Sequence, residues 1–437
     1  MAAMRLRSDL RACTIDGVFY QIMVGIAEVF LPNFVIHLRL GPIAAGLVVT
    51  VPVLLGSVIQ LWSPGWIRRT GSYARWTAGC AFVQAMAYVP LAILAWMSPT
   101  LMPESLSTGG TWLLAASVFA LLTLYWAAGL ACGPAWSSQV GAIIPRSLAP
   151  NYFAYRSRIL QAVMLVSILG HGTLMEELGG GRDSALGSPA TMRVFALVFV
   201  VAAACRVISA VYLVRYSEPE HAPSDEVDVS LPEFISRSSH SADGRLLLYA
   251  LAVTLAAGIA QPFFNPFMLD VLGLDRAPAM DVAGWTASWY SVLLATAYVG
   301  RILALPLVGK IAAYLGPRKA LFLGGVGIVP LSLFWLWPHN MGVLVAAQLA
   351  SGVFWAAYEL GLFLMYFEAI PRRERIAVLT RFTLVNEFAR TSGSLVGAGT
   401  LAGVGPGESA YRTVFWVSAT CRLLTLGLLA RVGRPRN

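Results

Sequence analysis

Glu28 lies inside an apolar run and shares one helical face with Gly17, Gln21, Gly25 and Pro32, which follow at steps of four, four, three and four. A carboxylate in such a run is costly unless it is paired, protonated or facing water. Glu28 is therefore a candidate proton-coupling group, with Gln21 beside it as a candidate substrate contact. Two further polar stripes occur late in the chain: Gln348, Ser351, Trp355 and Glu359, then Thr383, Glu387, Arg390, Ser394 and Gly397. Glu359 is the second proton-coupling candidate. Arg301, Glu387 and Arg390 lie at similar depth to it, about 8 to 13 residues into their runs, so one charge network is expected; ion pairs that only pack helices are the competing reading for Glu387 and Arg390.

Gln261-Pro262 and Asn265-Pro266 each free a backbone carbonyl beside an amide, the pattern of a kinked helix lining a cavity or of a purely structural kink. Both amides are candidate substrate contacts. Trp126, Trp136 and Trp355 offer faces for a planar or cationic solute, although aromatic packing is the commoner role of such residues. His171, with Met164 and Met175 on the same face, is counted with the substrate-binding residues; soft sulfur and imidazole would suit a copper-type path, against the plainer reading as packing. Cys80, Cys132, Cys205 and Cys421 fall in apolar runs and Cys13 on the basic arm, so neither a disulfide nor a resident metal is indicated. Gly129 to Pro134 and Gly397 to Gly399 read as close helix packing, since no strand precedes a phosphate loop. No cofactor is expected, and no enzyme.

The elements that must position these residues are helices in a bilayer. Hydrophobic residues make up 57% of the 437 and charged ones 12%, against roughly 25% charged in a soluble domain. Runs near 17–38, 43–62, 76–97, 112–142, 157–178 and 191–214, then 246–269, 285–309, 319–337, 341–368, 378–403 and 411–431, approach the ~20 residues a crossing needs. Between the two sets, 217–244 holds seven of the 22 acidic residues (Glu218, Glu220, Asp225, Glu226, Asp228, Glu233 and Asp243) and reads as a solvated hinge. The expected fold is an all-α polytopic protein of twelve transmembrane helices: a six-helix bundle over 1–216, a cytoplasmic linker over 217–244 and a second six-helix bundle over 245–437. The arm with Arg5, Arg7 and Arg11 precedes a run too long for a signal peptide and lacks a small-x-small site, so that run reads as a retained helix.

With the N-terminus inside, cytoplasmic segments collect 22 Lys or Arg and the opposite loops five: Arg39, Arg182, Arg193, Arg276 and Arg412. Both termini are then cytoplasmic. The net charge of +9 reports this asymmetry and no nucleic-acid partner. Arg exceeds Lys by 29 to 2, a bias that suggests a GC-rich bacterial genome and hence an inner membrane.

The halves also repeat. Trp126-Ala127-Ala128 followed by Pro145-Arg146 is echoed by Trp355-Ala356-Ala357 and Pro371-Arg372. Gly309, Ile311, Ala312, Gly316 and Arg318, with Arg69 and Gly71 in the first half, keep part of the loop pattern of the major facilitator superfamily, which the chain resembles. Where that family's gate carries an Asp, Arg68 and Ala313 stand here. The resemblance implies two bundles working by alternating access, with Arg69, Gly71, Gly316 and Arg318 in the gating loops. The function expected is secondary active transport of a small solute, proton-coupled, by a monomer whose partners are the solute, protons and the lipid bilayer. The alternatives are a non-transporting relative that acts in binding or assembly, and a copper-type metal importer.

Overall fold

A segment with no water around it must satisfy its own backbone, which for these Leu- and Ala-rich runs means helices. The computed structural model describes residues 2–101, 108–180, 187–219, 227–237, 241–274, 280–282, 285–287, 289–337, 340–405 and 407–432. Among them, ten segments are long and apolar enough to cross a membrane. They comprise α1 Met4–His37, α2 Ala44–Thr70, α3 Tyr73–Ser98, α4 Gly109–Ile143, α5 Ala149–Glu177, α6 Pro189–Val214 and α7 Ala242–Pro266, α8 Trp289–Leu315, then α9 Pro317–Leu336 and α10 Met341–Ala369. Two more helices, α11 Arg375–Val404 and α12 Glu408–Leu429, occupy the remaining two expected positions. With 30 and 22 residues they are long enough. Polarity sets them apart: α11 carries Arg381, Glu387, Arg390 and the run Thr391 to Ser394, and α12 carries Glu408, Arg412 and Arg422.

Between α7 and α8 the chain makes a small antiparallel ladder, β1 Met280–Val282 against β2 Trp285–Ala287, with Met280 opposite Ala287. The helix expected from 285 therefore starts at Trp289. Prolines account for the main breaks in the helices. In α1 the α-helical backbone ends at Ile26, passes through a 3-10 turn over Glu28–Phe30, and resumes at Leu31–His37. Pro32 has no N–H to give the carbonyl of Glu28, and its ring crowds that carbonyl. In α7 the same effect at Pro262 and Pro266 gives a 3-10 turn Gln261–Phe263 and a π-helical stretch Phe267–Val271.

The helices group into two units. One comprises Met1–Ile144, Val163–Asp228 and Arg372–Leu384; the other comprises Pro145–Ala162, Val229–Pro371 and Val385–Asn437. The boundary thus falls within the 217–244 stretch, and α5 and α11 are each divided. The first half of α5 joins the second unit because a Cβ on Gly309 would lie 2.5 Å from Ala154 Cβ, and Phe153 meets Phe363 edge-on at 4.8 Å. The start of α11 joins the first unit, where Gln60 Nε2 donates to the Thr380 carbonyl at 3.0 Å.

The acidic stretch is exposed or half-buried at most of its described positions and is anchored at several points. Ser217 N–H donates to Asp9 at 2.9 Å, and the Glu218 carboxylate caps the N-terminus of α3, accepting from Ser72 Oγ and from the N–H groups of Tyr73 and Ala74 at 3.3 and 3.1 Å. Val227 N–H reaches the Arg373 carbonyl at 2.7 Å and Asp228 pairs with Arg381 at 3.0 Å. A short helix Leu231–Arg237 follows, and Arg237 pairs with Asp243 at 3.6 Å. Glu220, Asp225, Glu226, Arg182 and Arg276 lie outside the described residues.

Candidate functional site

In the first unit the chemistry gathers on α1 and its neighbours. The break puts Glu28 in the 3-10 turn, where its carboxylate accepts a short hydrogen bond from the Tyr125 hydroxyl of α4. Tyr125 is fully buried, packs edge-on to Tyr88 of α3 at 5.1 Å, and also touches Met23 Sδ at 3.9 Å. The same break exposes the Ile26 carbonyl, and His171 of α5 takes it: Nδ1 lies 2.7 Å from that oxygen. A carbonyl only accepts, so Nδ1 carries the proton. The ring stacks on Phe30 at 3.6 Å and 8° and is 2% exposed. His171 is therefore placed to close the helix break, and its partner is backbone. Gly25 admits α5 at this level, since a Cβ there would meet Ser167 Cβ at 2.5 Å and Met164 Sδ at 3.3 Å.

Two turns closer to the N-terminus lies a charge cluster that sequence reasoning did not assemble. Arg206 of α6 is 3% exposed; its Nε donates to Gln84 Oε1 at 2.8 Å and its NH1 to Ser209 Oγ at 2.7 Å. Ser209 in turn donates to Asp16 at 2.5 Å, and the Tyr216 hydroxyl donates to the other oxygen of that carboxylate at 3.1 Å. The guanidinium also sits 4.8 Å from the Tyr20 ring centre, and Trp136 Nε1 reaches Tyr216 at 3.4 Å. Trp136, read as a stacking surface, is thus part of a hydrogen-bonded chain. Periodicity offered one signal, because Asp16 and Tyr20 are one turn apart on α1, as are Arg206 and Ser209 on α6.

Trp126 packs edge-on to Tyr125 at 5.6 Å, and its Nε1 is buried without a hydrogen-bond partner. Gly56 lets α2 approach here: a Cβ would lie 2.8 Å from Ala127 N. Gln21 makes no hydrogen bond within the described residues and is half-buried.

In the second unit the expected charge network resolves into two separate pairs. Arg301 NH1 of α8 meets Glu359 of α10 at 2.7 Å, and Arg390 meets Glu387 within α11 at 3.4 Å. Among the described residues no hydrogen bond or ion pair links one pair to the other. Glycines set the helix approach: a Cβ on Gly300 would lie 2.4 Å from the Leu349 carbonyl, and one on Gly352 2.1 Å from that of Ala297. On the other side, Gly393 and Gly397 bring α11 against the Leu255 and Ile259 carbonyls of α7.

The break in α7 leaves Gln261 and Asn265 exposed, and neither amide has a partner within the described residues. Trp355 packs edge-on to Tyr358 at 5.5 Å. In the loops, Gly71 and Gly316 both have positive φ, 64° and 90°, where a side chain would be strained, so each ends its helix in the way the internal repeat requires. Arg69 lies 5.5 Å over Trp66, and Arg318 is exposed in the first turn of α9.

No protein-family model matches the sequence and no curated protein does. Solved structures do match. A bacterial homologue of the iron transporter ferroportin in its outward-facing state is 12% identical, with 98% of each chain covered and a TM-score of 0.71. The E. coli fucose:proton symporter FucP is 14% identical over 98% of this chain and 100% of that one, at 0.67. The human organic anion transporter MFSD10 is 15% identical over 97% and 99%, at 0.66. At such identities it is the fold that is shared, and the chain carries the fold of the major facilitator superfamily of transporters.

Proposed function

We propose that this protein is a proton-coupled secondary transporter of a small, uncharged, hydrogen-bonding solute, working by alternating access. One observation carries the coupling: Glu28 sits in a helix break bonded to a phenol and forms no ion pair among the described residues, whereas Glu359 and Glu387 each face an arginine. An acid without a cation inside a membrane bundle is a protonation site, and a broken helix is where carriers of this kind bind ion and solute. Glu359, the other proton-coupling candidate, is then a partner in a switchable pair with Arg301.

The solute class follows from which groups are left free. Among the described residues of the second unit, Arg301 and Arg390 are each matched by a carboxylate, while the amides of Gln261 and Asn265 have no partner and suit hydroxyl or amide groups on a neutral ligand; the Gln21 amide of the first unit is likewise without a partner. The fold it shares with a fucose:proton symporter supports coupling of this type. The reading includes a monomer in a bacterial inner membrane with both termini in the cytoplasm, supported by the 22 to five split of Lys and Arg. A metal cargo is the second reading, supported by the likeness to the ferroportin homologue; against it, His171 spends Nδ1 on Ile26.

The test is a thermal-shift screen of the purified protein against neutral metabolites and divalent metals. Uptake of each hit into proteoliposomes, with and without a pH gradient, then follows. Gradient-driven accumulation of a neutral solute supports the proposal. Accumulation of metal alone, or a bound ligand with no flux, contradicts it.

A further inference from the structure

At the end of the first unit that holds the N-terminus, a cavity of ≈ 440 Å³ opens between α1 and α6, lined by Met4, Arg7, Arg11, Ile15, Tyr212 and Arg215 among others. Arg7, Arg11 and Ile15 recur every fourth residue, so one face of α1 forms a wall. Arg215 follows the last turn of α6 and lies 4.8 Å from the Tyr212 ring. None of the three arginines has a carboxylate or any hydrogen-bond partner within the described residues. The acids of this stretch are buried and spent elsewhere: Asp9 on Ser217 N–H, Asp16 on Ser209 and Tyr216. Those bonds also hold α1 against the end of α6, so the walls are fixed before any ligand arrives.

Three unpaired guanidiniums around one cavity describe a receptor for a phosphate, because each fork matches two phosphate oxygens. What surrounds the cavity selects the carrier of that phosphate. Met4 at its edge is 69% exposed, and the outer face of α6 presents Val214, Val211, Ile208 and Val200 at 58, 47, 37 and 57% exposure. An aliphatic stripe therefore runs from the cavity along the helix, where an acyl chain would lie. We propose that this cavity binds the phosphodiester headgroup of an anionic phospholipid, with Arg7, Arg11 and Arg215 on the phosphate and a fatty chain along α6.

The experiment is native mass spectrometry of the full chain in mild detergent, titrated with dioleoyl-phosphatidylglycerol or dioleoyl-phosphatidylcholine. The wild type should retain phosphatidylglycerol in preference. Each lost arginine should weaken retention about fivefold, so Arg7→Gln with Arg11→Gln about 25-fold, while Arg5→Gln, outside the cavity, should change nothing. Arg215→Gln alone serves if the double variant fails to fold. Equal retention of the two lipids, or undiminished phosphatidylglycerol binding in Arg215→Gln and the double variant, overturns the site. Displacement of the lipid by inorganic phosphate at equal molar concentration would assign the cavity to free phosphate and overturn the lipid.

Discussion

Arg206→Met is the sharpest structural perturbation available, because it removes a charge and leaves its surroundings intact. Methionine fills much of the same volume, so packing loss is small. What disappears is the pair of bonds from Nε to Gln84 at 2.8 Å and from NH1 to Ser209 at 2.7 Å, both inside the bundle. A hydrogen bond to a charged group contributes about 1.5–3 kcal/mol, and breaking a buried charge cluster by removing one member costs about 3–5 kcal/mol. The larger figure applies here, since Gln84 loses its donor and Asp16 loses the cation that Ser209 relays to it. Unfolding in mixed dodecyl maltoside and SDS micelles, followed by tryptophan fluorescence, should therefore show a loss of about 3–5 kcal/mol. Asp16→Asn combined with Arg206→Met should cost less than the sum of the two by about 1–3 kcal/mol. Arg5→Met, an exposed control, should stay within about 0.5 kcal/mol of wild type. If Arg206→Met matches that control, the cluster is not what fixes α1 to α6 and α3, and the reasoning fails.

Two further outcomes follow from the second unit. A double-mutant cycle on Arg301 and Glu359 should give a coupling of about 0.2–1 kcal/mol, as for partly exposed pairs, and the cross cycle of Arg301 with Glu387 should give none within error; measurable cross-coupling in the same unfolding assay would restore a single network. Gln261→Leu and Asn265→Leu should each raise the half-saturation concentration for uptake about fivefold, the worth of one ~1 kcal/mol hydrogen bond, with the unfolding midpoint unchanged because neither amide has a partner among the described residues. Unchanged uptake kinetics in both variants would remove them from the solute path.

The fold was largely legible because a bilayer imposes a length and a polarity on each segment. Local chemistry then sets how apolar each helix is and where each begins. Gln348, Ser351 and Glu359 leave α10 within the apolar range, whereas Arg381, Glu387 and Arg390 with Thr391, Ser392 and Ser394 make α11 more polar, though it is long enough to cross. Pro32 was visible as part of the Glu28 face, yet the helix break one turn before it appears only in the backbone. The site was less legible because its bonds are long-range. Arg206 meets Gln84 across 122 positions and Ser209 meets Asp16 across 193; periodicity puts Arg206 and Ser209 on one face but does not say which helix they meet. Composition marked the acidic stretch as solvated, but not that Glu218 caps a helix and Asp228 pairs with an arginine while both stay exposed. The three-residue spacing of Glu387 and Arg390, by contrast, gave their pair directly.

The central claim is that Glu28 carries the proton, and one variant addresses it. Glu28→Gln keeps the shape and can still accept from Tyr125 through its amide oxygen, but it cannot release a proton. In proteoliposomes the account predicts that this variant exchanges labelled solute across the bilayer at near wild-type rate while accumulation driven by an imposed pH gradient is lost. Gradient-driven accumulation equal to wild type in Glu28→Gln would contradict it.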